Sequence, residues 1–202
     1  MKIKLFEEGS IGTNCFIVYD EASKKAFCVD VSDRISNKYF EFIDSKDLQI
    51  EYLLLTHGHY DHCADILRFT ARYPLAKVVI SEADYQNILS SRGVFCERER
   101  FAAPAVLVND GDTIPFCGQT IQVIATPGHT SGSVCYLYLN HLFCGDTVFD
   151  GSIGRTDLPT GSFFEIMKSV AKISALGDYQ LYPGHMGVTD IATQRRVNSF
   201  FR

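Results

Sequence analysis

Short apolar runs alternate with amphipathic stretches along the whole chain, which is the rhythm of an α/β protein. Residues 11–20 and 26–31 are rich in β-branched, aromatic and small apolar side chains and predict a hairpin pair. Glu-Tyr-Leu-Leu-Leu-Thr at 51–56 predicts a buried strand that stops at the first of a group of histidines. Over 61–73 the apolar positions Ile66, Phe69 and Tyr73 recur at helical spacing, which places Asp61 and His62 in a first helical turn, where a carboxylate is favoured in its ionised form. Ser81-Glu82-Ala83-Asp84 and Ser162-Phe163-Phe164-Glu165 read as capping boxes opening two further helices, and Thr189 as the cap of a last helix running to about Phe200. Strands are expected over 121–126, 134–139, 142–144 and 180–182, with tight turns at 109–112 and at Asn140-His141.

The chain has 202 residues, 46% of them hydrophobic, enough for one well-buried core. We read a single domain over 1–202, with neither an internal repeat nor a low-complexity tract. A net charge of -5 gives no electrostatic footprint for nucleic acid or for an anionic membrane surface, and neither partner is expected. The first eight residues carry acids before any apolar run long enough for a signal segment, and nowhere do about 18 apolar residues run together. Seven cysteines, an odd number without a C-x-x-C pair, read as reduced, mostly buried thiols. A soluble cytoplasmic protein is the expectation, with oligomeric state left open.

Five of the six histidines fall in a four-part pattern: Thr56-His57-Gly58-His59-Tyr60-Asp61-His62, Pro127-Gly128-His129, Gly145-Asp146 and Pro183-Gly184-His185. At this histidine frequency an H-x-H-x-D-H string arises by chance in roughly a few of every ten thousand chains of this length. In three of the four segments a β run stops, a Gly or Pro-Gly turns the backbone, and a potential ligand follows, so the side chains are pinned to strand ends. His57, His59, Asp61, His62, His129, Asp146 and His185 make seven candidate ligands. A catalytic zinc takes three protein ligands and keeps one position open, so seven points to two cations sharing a bridge. Asp146 is the expected bridge, because the two oxygens of a carboxylate reach different metals and an imidazole cannot do this. His141, in a predicted turn without a neighbouring ligand type, is read as a solvent-facing residue outside the site. Zinc is the first expectation for the metal, although iron and manganese accept the same mixed His/Asp set.

These residues resemble the signature of the metallo-β-lactamase superfamily, and in particular its glyoxalase II-like (hydroxyacylglutathione hydrolase-like) branch. The likeness runs from near the N-terminus to about His185 and includes Asn109-Asp110-Gly111-Asp112-Thr113-Ile114 and Gly145-Asp146-Thr147-Val148-Phe149. It implies an αββα sandwich, with two mixed sheets face to face, helices outside and the metals at one sheet edge. It also implies that His57, His59 and His129 hold one metal and Asp61, His62 and His185 the other, with Asp146 bridging. The activity implied is hydrolysis of a small thioester by a metal-bridging hydroxide, which Asp61 would both ligate and orient. A thiolate leaves without a dedicated general acid, which suits a motif set with no spare acid.

Ser152 to Gly161 follows Asp146 closely and must lie near the metals. Its Arg155 offers a rigid donor fork suited to a substrate carboxylate, the role of a cation at the matching place in glyoxalase II and persulfide dioxygenase families. The alternative for Arg155 is an internal pair with Asp157. Residues 90–105, with Phe95, Phe101 and the cluster Glu97-Arg98-Glu99-Arg100, read as a solvated face or as a rim over the site. Glyoxalase II proper usually reads T-H-H-H-x-D-H, adds a C-terminal helical domain and has Tyr after its last histidine. This chain has Gly58 and Met186-Gly187 there and ends at Arg202. The runner-up is a mononuclear iron persulfide dioxygenase, which shares Gly154-Arg155-Thr156-Asp157 and would use a two-histidine, one-carboxylate triad such as His57, His129 and Asp146. That family commonly reads T-H-C-H-A-D-H, so Gly58 and Tyr60 favour hydrolysis.

Overall fold

The computed structural model describes residues 1–90, 93–101 and 105–201. Two six-stranded sheets lie face to face. The first contains β1 (Lys2–Glu8), β2 (Thr13–Tyr19), β3 (Lys25–Val29), β4 (Gln49–Leu54), β5 (Lys77–Ser81) and β6 (Val106–Val108) in spatial order. β1 to β3 form an antiparallel meander, and β3 to β6 are parallel. Helices α1 (Asn37–Ser45), α2 (Tyr60–Cys63), α3 (Ile66–Arg72) and α4 (Glu82–Leu89) belong to the crossovers of this parallel half. The second sheet is formed by β7 (Thr113–Phe116), β8 (Gln119–Ala125), β9 (Val134–Tyr138), β10 (His141–Gly145), β13 (Gln180–Pro183) and β14 (Thr189–Asp190). A small hairpin, β11 (Val148–Phe149) with β12 (Ser152–Ile153), and helices α5 (Phe163–Ser174) and α6 (Ile191–Val197) complete the chain.

The strand period of two sorts the apolar residues into three layers. Phe16, Val18, Phe27, Val29 and Leu54 meet Val123, Tyr136, Tyr138 and Phe143 between the sheets. There the Phe27 ring stands 4.9 Å from Phe116 and 5.5 Å from Tyr138, both edge-on. The alternate residues Cys15, Ile17, Cys28, Leu53 and Leu55 face the first helical layer with Tyr39, Ile43, Ile66 and Phe69. On the far side Cys135, Leu142 and Cys144 face Ile166, Val170 and Ile173, which sit at helical spacing on α5. Side chains buried on both faces of both sheets require helices outside them, and the expected αββα sandwich is the result.

Several elements differ from the sequence reading. The expected helix over 61–73 is two helices, because the carbonyl of His62 accepts Val31 N at 2.8 Å and the helical ladder is broken there. Asp190, rather than Thr189, caps the last helix by accepting Thr193 N at 2.7 Å, while Thr189 pairs with Leu181 in β14. The turn before β10 is Leu139-Asn140, so His141 opens the strand; it is partly buried, with Nδ1 3.0 Å from Tyr182 Oη, and it does lie apart from the other histidines. The boxes at Ser81 and Ser162 cap α4 and α5 as read, accepting Asp84 N at 3.2 Å and Glu165 N at 3.3 Å. Among the described residues no helix is long and apolar enough to cross a membrane.

Candidate metal centre

All the candidate side chains come from the carboxyl ends of strands at one edge of the sandwich: Thr56 to His62 after β4, His129 after β8, Asp146 after β10 and His185 after β13. The two sheets are laced together at this edge, where Val134 N donates to Thr56 O at 2.9 Å and Asn14 N to Gly184 O at 2.7 Å. The structure brings the seven residues into three overlapping clusters. His57, His59 and His129 form one, Asp61, His62 and His185 a second, and His57, His62 and Asp146 link them, with ligand atoms within 4.8 Å of one another in each. In the first cluster the imidazole centroids make a near-equilateral triangle, 4.6 to 4.8 Å on a side. Asp146 stands between the clusters, with Oδ1 3.4 Å from His62 Nε2 and Oδ2 3.5 Å from His129 Nε2 and 3.6 Å from His185 Nε2.

The surroundings decide which ring nitrogen is free. His62 Nδ1 donates to Asp30 Oδ2 at 2.8 Å, His129 Nδ1 to Arg155 O at 2.8 Å and His185 Nδ1 to Gly12 O at 3.1 Å. Thr56 Oγ1 donates to Asp30 and accepts from His57 Nδ1 at 3.1 Å. Each of these bonds keeps a proton on Nδ1 and turns Nε2 toward the centre, as a metal-ligating histidine requires. His57 Nε2, His59 Nε2, His129 Nε2 and Asp146 Oδ1 are four of the five buried side-chain polar atoms that lack a hydrogen-bond partner among the described residues. Stranding four acceptors in one spot is costly unless something electron-poor meets them. Divalent cations fit this donor set.

Charge tells the same story. Burial, and then the neighbouring imidazoles, push His57 well below the ordinary histidine range and His59 to about 3, so both stay neutral. Burial opposes charging of His62, yet Asp61, Asp146 and Asp30 together hold it well above that range. Burial would raise the carboxyls of Asp61 and Asp146, but His62 and the other imidazoles keep both below the usual carboxylate range. The cluster thus holds ionised carboxylates and, at His57 and His59, neutral imidazoles, the protonation states that ligands need, whereas the carboxylates favour a proton on His62 and His185 that a bound cation would displace.

The centre opens into a cavity of about 490 Å³ walled by Ile11, Phe149, Ile153 and Leu158. A larger hollow of about 840 Å³, against Lys25, Gln49 and Gln119, lies away from every candidate ligand. Arg155 lines the mouth of the first cavity. Its guanidinium forks onto Asp157, with Nε to Oδ1 and Nη2 to Oδ2 both at 2.7 Å, so the internal pair weighed from the sequence is formed. Of the segment read as a rim, residues 91–92 and 102–104 lie outside the described residues. Within the rest, Cys96 N donates to Gly58 O at 2.9 Å, and the Phe95 ring packs 4.9 Å from His59. Cys63 is fully buried, with its thiol donating to His59 O at 3.0 Å, as a structural cysteine does.

Sequence reasoning missed two buried carboxylates. Asp30, after β3, accepts Thr56 N, Thr56 Oγ1 and His62 Nδ1, each at 2.8 Å. Asp84, in the first turn of α4, accepts from the two loops that carry His57, His59 and His129.

The model of the metallo-beta-lactamase superfamily matches residues 11–185, and the chain belongs to that superfamily. A hydroxyacylglutathione hydrolase of Francisella tularensis subsp. novicida is 32% identical over 92% of this chain and 68% of its own length. A probable polyketide biosynthesis zinc-dependent hydrolase, BaeB, of Bacillus velezensis is 34% identical over 85% of this chain and 72% of its own. Among solved structures the BLEG-1 B3 metallo-beta-lactamase superposes with a TM-score of 0.88 at 28% identity, covering 99% of both chains. Superfamily membership together with the His/Asp cluster defines a metal-dependent hydrolase.

Proposed function

We propose that the chain hydrolyses small thioesters at a centre of two divalent cations, zinc in the first instance. One observation carries the reading: three unpartnered buried imidazole nitrogens, of His57, His59 and His129, and the ionised carboxylates of Asp61 and Asp146 converge beside an open cavity. His57, His59 and His129 would hold one cation and Asp61, His62 and His185 the other, with the two oxygens of Asp146 facing both. Such cations, when bound, acidify a water molecule and polarise a carbonyl oxygen.

The chain's own residues account for the remaining requirements. Asp61 is part-exposed to the cavity, and its Oδ2 already engages His185 at 3.2 Å and Thr13 at 3.5 Å, so the ionised carboxylate is held still enough to orient attacking water by accepting its hydrogen bond. Ile11, Phe149, Ile153 and Leu158 offer apolar surface to the acyl group and exclude bulk water from it. A thiolate, with a thiol pKa near 8.5, leaves without a proton donor, and the carboxyls that line the cavity among the described residues, Asp61 and Asp146, are ionised. Arg155 at the mouth would meet a carboxylate on the thiol carrier once Asp157 yields its fork.

The reading is supported by the hydroxyacylglutathione hydrolase and zinc-dependent hydrolase names of its relatives, while the likeness to BLEG-1 puts a lactam on the test panel. The test is metal content per chain, measured with hydrolysis of S-lactoylglutathione, other thioesters and a β-lactam, and with oxygen uptake on glutathione persulfide. Two cations per chain and thioester cleavage without oxygen uptake are expected. One iron per chain with oxygen uptake would replace the proposal by a persulfide dioxygenase, and cleavage of the lactam alone by a β-lactamase.

A further inference from the structure

Helix α4 needs only the backbone N–H of Asp84 for its cap, since Ser81 Oγ accepts that N–H at 3.2 Å. The Asp84 side chain is therefore spare as far as the helix is concerned, yet it is fully buried and carries four hydrogen bonds. Its Oδ2 accepts Gly58 N and Thr130 Oγ1, each at 2.8 Å, and its Oδ1 accepts Gly132 N at 3.1 Å and Asn87 Nδ2 at 2.9 Å. Gly58 lies between His57 and His59, and Thr130 follows His129. A single rigid carboxylate thus ties together the two loops that bear the three imidazoles of one cluster. The loop is gripped from the other side as well, because Ser81 Oγ donates to Gly132 O at 2.5 Å. The approach at Gly132 is so close that a Cβ there would lie 2.3 Å from Asp84 N and 2.6 Å from Asp84 Oδ1, so the contact tolerates glycine alone.

We propose that Asp84 is a positioning residue of the metal centre, setting the spacing of His57, His59 and His129 by clamping the Gly58 turn to the Thr130–Gly132 loop. This rests on the metal-centre reading above. The carboxylate suits the task because all four of its partners are donors and it is an acceptor only. Asparagine at 84 would present an NH₂ to one loop or the other, donor against donor, and release that side of the clamp. Among the described residues the second cluster, Asp61, His62 and His185, shares no hydrogen bond with the Asp84 carboxylate and is positioned by Asp30, Thr13 and Gly12 instead.

The inference therefore predicts a selective defect. Outer-shell partners of metal ligands are worth about 10- to 100-fold in affinity. In Asp84→Asn, titration of the metal-free protein with cobalt should give one dissociation constant at least tenfold weaker than in the wild type. The other should stay within about threefold, and the visible bands of the weakened site should broaden. Thr130→Val, which keeps the carboxylate and removes one of its donors, should weaken the same constant by a smaller factor. It also serves as the test should Asp84→Asn fail to fold. Ile173→Val, in the opposite helical layer, controls for general loss of stability and should leave the two constants in their wild-type ratio. If the variants keep both constants and the bands of the wild type, or lose both in parallel, the positioning role is wrong. If the wild type itself takes up no cobalt, the metal-centre reading fails first and carries this inference with it.

Discussion

Gly184→Ala tests the metal centre without removing a single candidate ligand. A Cβ at 184 would lie 2.2 Å from Asp146 Oδ1 and 2.6 Å from His62 Cε1, well inside the 3.0 Å that real Cβ atoms respect. The backbone cannot back away, because Gly184 N is held by Gly145 O at 2.8 Å and Gly184 O by Asn14 N at 2.7 Å. The methyl group must instead displace the Asp146 carboxylate and the His62 ring by roughly 1 Å, a misplacement worth about 10²-fold in rate when it falls on reacting groups. The matching stability loss is that of overpacking, about 1–3 kcal/mol, which a domain stable by about 5–15 kcal/mol survives. The expected variant is folded, with a melting temperature a few degrees down, metal content below the wild type and hydrolysis about 100-fold slower. Gly187→Ala, whose added carbon meets nothing within 4 Å, is the control and should match the wild type. Thermal melts, metal analysis and initial rates on the same preparations decide the matter. Wild-type rate and metal content in Gly184→Ala would refute the claim that Asp146 and His62 act from where they stand.

Asp30→Ala strands two Thr56 donors and His62 Nδ1 in a dry site and should lower stability by about 3–5 kcal/mol in urea unfolding. Asp157→Asn should free the Arg155 fork, lowering KM several-fold for thioesters of carboxylate-bearing thiols while leaving neutral thioesters unchanged in steady-state kinetics. Removing metal with a chelator should abolish hydrolysis, and restoring zinc at about 100 times its Kd should raise the melting temperature by about 5–10 °C, the equivalent of about 2.7 kcal/mol. The hydrogen bond from Arg72 holds the Asp44 carboxyl below the usual carboxylate range. A depressed folded value adds stability above the unfolded pKa of about 3.9 and loses it as pH falls through the folded one. Asp44→Asn should therefore cost a few tenths of a kcal/mol in urea at neutral pH, with the difference from the wild type vanishing in strong acid.

The seven candidate ligands were legible because their chemistry lies in residue type and their placement in a local device, a strand end followed by a turn, that needs no knowledge of distant residues. The strands facing core on both sides were legible for a related reason: 15–19 and 26–29 are apolar at nearly every position, which leaves no choice of face to misread. What escaped is what depends on a partner far along the chain. The break between α2 and α3 comes from Val31 taking the carbonyl of His62, and no spacing within 61–73 encodes it. β1, with Lys2 and Lys4 on an edge and most of its side chains in solvent, carries too weak an apolar alternation to announce itself.

Asp30 and Asp84 mark the sharper limit. Each is a single acid just beyond a parallel strand, a common place for a cap or turn residue, and nothing in its neighbours distinguishes it. Asp84 even satisfies a local rule, the capping box, so its local explanation looks complete while its carboxylate reaches Thr130, 46 residues away. Their role exists only because parallel β3, β4 and β5 end side by side, which brings the residues after each strand within hydrogen-bond reach of the next. A sequence can thus name the atoms able to bind a cation. Which nitrogen of His62 faces the centre follows from Asp30, and the spacing of the three imidazoles follows from the clamp at Asp84, so the geometry that makes the donors a site belongs to the topology.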